Sequence, residues 1–331
     1  MAFDVIGSLG FGRSFGIVAS GNTQPIDAAY KTLTLGILKA TLPFGDTTHL
    51  MFRDLVDARD YSVKFATMAI EQRRMDISRN GGEPEHKDVL QRLVDARDPL
   101  TSQPLDVGSV TAEISLMLLA GTGTVTYLLT WILLHLLYNR EAYNRLTSQI
   151  RSVFPNTNVL IRYDNARRML PYLTAVIYES MRMRTVVSNY MPRRVPAIGG
   201  ASLLDGKYRL PPGTEIDVSL SAWHRNPGIW ENPHTFNPAR FMGSNAEDRI
   251  KDVLWFSSGV RICVGRYLAL AEVYNMLANI LRRYDFHLPQ HLAQRHPTIA
   301  DIPSSTFFNQ APQNPERDCM VLIRHACQLT P

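Results

Sequence analysis

The chain has 331 residues, of which 45% are hydrophobic and 20% charged, and a formal net charge of +5. That profile belongs to an ordinary globular protein with ample length for a core, and it excludes a disordered, collagen-like or disulfide-scaffold chain. The three cysteines, Cys263, Cys319 and Cys327, form an odd and sparse set that argues for a reducing, intracellular compartment. The basic residues form no long run, so nucleic acid is not an expected partner, whereas an acidic protein or an anionic membrane surface fits.

The first residues, Met1 to Gly7, have neither the basic region of a signal peptide nor the apolar run of an anchor, and they read as the interior of a helix. Residues 28–38 are apolar at helical spacing, and residues 50–75 form a longer amphipathic stretch. The Asn80-Gly81-Gly82-Glu83-Pro84 segment is a loop, followed by a short amphipathic helix over residues 87–98. The most apolar segment is 111–137, without a single charge from 114 to 134. By length it suits a membrane span. Its central Gly121-Thr122-Gly123-Thr124 run of poor helix formers, and the lack of a returning span, favour instead a core helix buried on all sides.

A charged amphipathic helix follows over residues 139–154, then a shorter one ending near Leu170. Pro171 is well suited to the first turn of the next helix. There Glu179 and Arg182 stand at i, i+3 on one face among apolar neighbours, which predicts a buried ion pair. Between residues 190 and 220 the turn signals Gly199-Gly200, Asp205-Gly206 and Pro211-Pro212-Gly213 mark a small sheet, and the alternation over 214–220 predicts a half-buried strand. Residues 320–323 read as a further strand. Together these elements predict a mainly α fold with small β-sheets. Cys319, His325 and Cys327 fit no zinc spacing.

The stretch from Trp255 to Arg266 carries the chemistry. Cys263 lies just before an apolar helical run, where backbone amides and the helix dipole favour a thiolate. Ser257, Ser258 and Gly259 allow a tight loop whose amides can approach the sulfur, and such contacts tune a bound metal. The residues alone leave two readings, a buried structural cysteine or a thiolate ligand.

The pattern Phe256-x-x-Gly259-x-Arg261-x-Cys263-x-Gly265 resembles, at every fixed position, the haem-binding loop of the cytochrome P-450 family. The resemblance implies that Cys263 is the axial thiolate ligand of haem b iron and Arg261 a partner of a haem propionate. Phe256 would pack near the sulfur, and Gly259 and Gly265 would permit close backbone approach. The Glu179-x-x-Arg182 pair and Arg240, in Pro238-Ala239-Arg240-Phe241, resemble the family's Glu-Arg-Arg network, with Ala239 at a position where an acid is common. Arg193 resembles a second propionate partner on a strand, with Arg194 as the alternative. Ala222-Trp223-His224-Arg225-Asn226-Pro227 resembles another family segment and implies a structural role for His224.

Ala120-Gly121-Thr122-Gly123-Thr124 resembles the oxygen-binding helix, which makes Thr124 the catalytic hydroxyl. Gly123 stands where the family carries a proton-relaying acid. Phe3 to Gly12 resembles a mid-chain helix of fungal-type members. The implied organisation is a single partial domain over residues 1–331, a cytochrome P-450 fold lacking roughly its N-terminal third and the membrane anchor found there.

The resemblance implies a monooxygenase of secondary metabolism. It would use O₂ and electrons from an NADPH-dependent flavoprotein reductase to hydroxylate or epoxidise a small lipophilic metabolite. Family members usually sit at the endoplasmic-reticulum membrane, so peripheral membrane association is expected. Gly123 keeps open a haem-thiolate isomerase or dehydratase without net O₂ activation, with Gly123→Asp expected to improve coupling of NADPH use to product. The missing third keeps open an inactive truncated paralogue or a gene-model fragment.

Overall fold

The computed structural model describes residues 1–12, 14–41, 51–81, 88–187, 191–305 and 310–326. Cys327, Leu50, Lys87 and residues 82–84 of the expected loop lie outside them. The chain groups into two compact units, Met1–Gly123 and Thr124–Pro331.

The first unit is helical: α1 (Ala2–Phe11), α2 (Gln24–Thr41), α3 (Arg53–Arg79), α4 (Val89–Val94) and the first half of α5 (Val107–Tyr138). Helix α1 turns Phe3, Ile6 and Phe11 to one face and stops at Gly12, whose φ of 73° lets its N–H return to the Gly7 carbonyl. That face packs with Ala66 and Ile70 of α3, Leu90 of α4 and Ile114 and Leu118 of α5. Asp88 caps α4 by accepting from the Gln91 N–H at 2.9 Å, and it pairs with buried Arg73 at 2.8 Å. Two glycines let neighbours approach α5 closely: Ile6 lies where a Cβ at Gly121 would stand, and Tyr30 of α2 where one at Gly123 would.

The second unit holds the rest of α5, then α6 (Arg140–Val153), α7 (Tyr163–Met169), α8 (Pro171–Met183) and, after an irregular stretch, α9 (Arg266–Arg283). Strands are short and pair in antiparallel twos. β1 (Arg193–Arg194) joins β4 (Glu215–Ile216), and β2 (Ala201–Leu203) joins β3 (Tyr208–Leu210). β5 (Tyr284–His287) pairs with β8 (Leu322–His325), and β6 (Ser304–Ser305) with β7 (Ala311–Pro312). The molecule is thus mainly α with small sheets.

Two expectations are corrected. The strand expected over 214–220 shrinks to Glu215–Ile216. Its pleat ends because the Asp217 carboxylate accepts the Met191 N–H and Ser219 caps the helical turn Leu220–Trp223, leaving Val218 exposed. Helix α5 is not buried all round. Leu128, Trp131, Ile132, Leu134, His135, Leu136 and Leu137 are buried, but Glu113, Leu116 and Ala120 are exposed. The buried half is tied down where the Trp131 Nε1–H donates to the Gln310 carbonyl at 2.8 Å and the Tyr138 hydroxyl to the His296 carbonyl at 2.8 Å. Among the described residues α5 alone is long and apolar enough to cross a membrane, and 39% of its most apolar window is buried.

Candidate active site

The cysteine loop starts at buried Trp255, in the 3-10 turn Leu254–Phe256, whose two aromatic rings meet edge-on at 4.8 Å. The backbone then reverses through Ser257 (φ 62°, ψ −167°) and Gly259 (φ 70°). A second turn, Gly259–Arg261, follows, and the Cys263 N–H donates to the Phe256 carbonyl at 2.9 Å, closing the loop. Helix α9 begins after Gly265, whose carbonyl accepts the Ala269 N–H at 2.9 Å. Gly265 spares the sulfur a neighbour: a Cβ there would stand 3.9 Å from Cys263 Sγ.

The Cys263 thiol is exposed, so it does not fill the core. Val260 (100% exposed), Val264 (99%) and Ile262 flank it, and Arg261 is exposed in the same turn. Five sequence-predicted residues, Phe256, Gly259, Arg261, Cys263 and Gly265, therefore share one closed loop that presents a thiol, an apolar rim and a fixed cation. Among the described residues no cluster of three or more His, Cys, Asp or Glu is placed to hold a metal ion.

A buried ionic cluster stands behind this loop in the chain's second unit. Glu179 and Arg182 of α8 are fully buried and pair through two bonds, Nε to Oε2 at 2.7 Å and Nη2 to Oε1 at 2.8 Å. Arg182 Nη1 also donates to the carbonyls of His224 (2.8 Å) and Pro233 (2.7 Å). Glu179 Oε1 accepts the Asn237 N–H at 2.7 Å and, at 3.3 Å, Nε of Arg240. Arg240 thus joins the pair, although Ala239 precedes it. One face of the Arg182 guanidinium lies 5.3 Å from the ring of buried Trp230.

His224 links that cluster to the loop. Its Nε2 accepts the Leu254 N–H at 3.1 Å, so its Nδ1 carries the proton and donates to Thr185 Oγ1 at 2.7 Å. Burial, with Arg182 and Arg225 nearby, lowers its pKa to about 4, which keeps the ring neutral. Both ring nitrogens are engaged, in keeping with a structural histidine. Trp223 adds a second tie, its Nε1–H donating to the Asp252 carbonyl at 2.8 Å. The sequence pointed to His224 through its family-like segment but gave no sign that the ring holds Leu254.

The remaining candidates lie elsewhere. Arg193 on β1 turns its guanidinium back onto the carbonyls of Met191 (2.7 Å) and Pro192 (3.1 Å), while Arg194 pairs with Glu215 at 2.8 Å. Thr124 is half-buried in the middle of α5. Gly123 before it is buried, and a Cβ there would meet the Tyr30 hydroxyl at 2.6 Å and its ring at 3.0 Å. A carboxylate at 123 would have to displace Tyr30. On α9, Glu272 is buried, its Oε2 without a hydrogen-bond partner among the described residues, and burial pushes its pKa up to about 7.

The sequence model of one family, cytochrome P450, matches residues 1–306. The chain belongs to the cytochrome P450 family. It is 31% identical to the cytochrome P450 monooxygenase helB1 of Aspergillus fumigatus, over 98% of this chain and 56% of helB1. It is 30% identical to helB3 of the same fungus, over 97% of this chain and 64% of helB3. With the cytochrome P450 monooxygenase macH of Penicillium terrestre it shares 29% identity, over 87% of this chain and 58% of macH. The chain thus spans a little over half to just under two thirds of these relatives. The crystal structure of the cytochrome P450DA heme domain superposes with a TM-score of 0.77 at 21% identity, and that of CYP102L1 with 0.78 at 21%. Each is covered to 66% of its length by 98% of this chain, so the fold is shared.

The cofactor of P450 proteins is haem held through a cysteine thiolate. The loop fits such a group on its own chemistry. Its exposed thiol is a soft ligand, and the bare valines beside it form an apolar rim that a flat macrocycle would cover. Arg261 places a cation at the edge of that rim.

Proposed function

We propose that this chain carries the haem-thiolate site of a monooxygenase, with Cys263 as the axial ligand. The observation that carries the reading is the closed loop that leaves the Cys263 thiol exposed inside an apolar rim. Bound haem would supply the redox and oxygen-inserting chemistry. The protein's share is to hold and shield it. The Cys263 N–H bond to the Phe256 carbonyl fixes the sulfur-bearing backbone, and Phe256 and the exposed valine rim would shield the sulfur from water once haem covers them. Arg261, and Arg193 if its guanidinium leaves the Met191 and Pro192 carbonyls, would neutralise propionates. The Glu179–Arg182–Arg240 cluster and His224 keep the loop's approach rigid. The Thr124 hydroxyl on α5 would hold a proton for oxygen chemistry.

The substrate is a small lipophilic metabolite of a fungal biosynthetic pathway, and the electrons come from an NADPH-dependent flavoprotein reductase. The monooxygenase names of the fungal relatives support this reading, as does the basic balance of the chain for an acidic reductase. Peripheral association with the endoplasmic-reticulum membrane accords with family habit. The test is reconstitution of the haem-loaded chain with such a reductase, NADPH and a panel of terpenoid and polyketide substrates under isotopically labelled dioxygen. Labelled product supports the reading. An unlabelled rearranged or dehydrated product favours the isomerase alternative and overturns it.

A further inference from the structure

We propose that the β2–β3 hairpin is the element by which this chain rests on a membrane, its tip entering an anionic phospholipid surface. The proposal deepens the peripheral-membrane reading above and rests on it.

Residues 202–209 of this hairpin are all exposed, and Ala201 and Leu210 at its base are partly covered. The ribbon is two strands wide, with Leu203 opposite Tyr208 and Ser202 opposite Arg209. A lone pair of strands this short is marginal in water, and polar side chains would suit its surface. Instead three large apolar side chains meet at the tip: Leu203 is 43% exposed, Leu204 72% and Tyr208 50%. Leu203 and Tyr208 are cross-strand partners, so they share one face of the ribbon.

Leu204 carries a second cost. The turn closes where the Lys207 N–H donates to the Leu204 carbonyl at 3.1 Å, with Asp205 and Gly206 at its centre at φ 52° and 90°. An Asp-Gly centre suits a tight hairpin turn. Leu204 itself also lies at positive φ, 49°, a region that bulky side chains avoid. The leucine is thus held in an unfavourable backbone conformation and left in water. An apolar phase outside the chain offsets both costs.

Charge selects that phase. Lys207 and Arg209 stand on the hairpin against one acid, Asp205, and the Lys207 ammonium lies 5.5 Å from the Tyr208 ring. Leucines at the tip, a tyrosine beside them and cations behind suit a lipid interface. The leucines would enter the acyl boundary, the phenol would sit among the headgroups, and the cations would meet their phosphates. A protein groove would have to match the phenol and both cations one by one, whereas headgroups match them without fixed geometry.

The test is co-sedimentation of the whole chain, with haem supplied, on vesicles of mixed phosphatidylcholine and phosphatidylserine and on vesicles of phosphatidylcholine alone. Aspartate tolerates positive φ, so Leu204→Asp keeps the turn and should unfold at the parent's midpoint. It should lower partition onto mixed vesicles by at least about tenfold. Lys207→Gln should lower it about fivefold on mixed vesicles and leave phosphatidylcholine unaffected. Leu100→Asp, at a leucine 93% exposed in the first unit, should leave partition unchanged. In Tyr208→Trp, lipids with brominated chains should quench emission beyond the quenching seen in the parent. If the parent binds and Leu204→Asp binds equally well, the hairpin's role is overturned while the membrane reading stands. An equal loss in Leu100→Asp would overturn that role too. A parent chain that binds neither vesicle overturns both. A parent dimer that Leu204→Asp converts to monomers, without vesicle binding, would assign the tip to a second copy and overturn the proposal.

Discussion

Replacing Glu179 by glutamine tests the buried cluster with the least change in shape. The carboxylate takes four donors: two from Arg182 at 2.7 and 2.8 Å, the Asn237 N–H at 2.7 Å and Arg240 at 3.3 Å. In Glu179→Gln one oxygen becomes an NH₂. With the remaining oxygen kept on the Asn237 side, that NH₂ faces Nε of Arg182, donor against donor. One charge-assisted bond is lost, about 1.5–3 kcal/mol. The Arg182 guanidinium, fully buried, also loses its only carboxylate partner among the described contacts. Breaking a buried pair from one side costs about 3–5 kcal/mol in total. For a unit of this size each kcal/mol moves the unfolding midpoint by about 2–4 °C, so a drop of about 6–20 °C is expected. Arg240→Lys removes a longer contact made by a side chain 11% exposed and should cost about 1 kcal/mol. Calorimetry of the three chains side by side reads both values. A Glu179→Gln midpoint within about 2 °C of the parent would refute the view that this carboxylate anchors the cluster.

Three further outcomes are expected. His224 and His135 stay neutral when folded, with pKa values lowered to about 4 and about 3 by burial and by nearby arginines. Their stabilising share is full above the unfolded value near 6.5 and is lost as pH falls toward 4 and then 3. Glu272, raised to about 7, works in the opposite sense: its share is full below about 4.5 and lost as pH rises through 7. The midpoint should therefore climb between pH 4.5 and 6.5, and His224→Gln should flatten that climb; an identical slope in the variant would contradict it. Ser257 sits in a backbone region that glycine tolerates, so Ser257→Gly should raise stability by about 1–2 kcal/mol in denaturant titration. Gly259→Ala should lower it by about 1–2 kcal/mol through backbone strain alone, since nothing lies within 4 Å of the added Cβ.

The helices were legible because their apolar periodicity is long. Residues 139–154 predict a helix that the structure places at Arg140–Val153, and Pro171 opens α8 as its fixed φ suggests. The loop motif carried its own geometry, since Gly259 sits at positive φ where other residues are strained. Other features depend on contacts between distant segments. The alternation over 214–220 gave no sign that Asp217 would be drawn to Met191, nor that Ser219 would cap a helix. The lack of charge in α5 suggested burial on every side, but Leu116 and Ala120 are merely uncharged and remain exposed. Gly123 read as a missing acid because only the neighbouring helix reveals the phenol that fills its place.

The most direct test of the central claim is the carbon monoxide difference spectrum of the reduced, haem-supplemented chain, recorded beside Cys263→Ala. The thiol is exposed, so the variant should unfold at the parent's midpoint in the absence of haem. A strongly red-shifted Soret band in the parent, lost in Cys263→Ala, is the predicted result. A band that survives the substitution, or a parent chain that takes up no haem, would contradict Cys263 as the thiolate ligand.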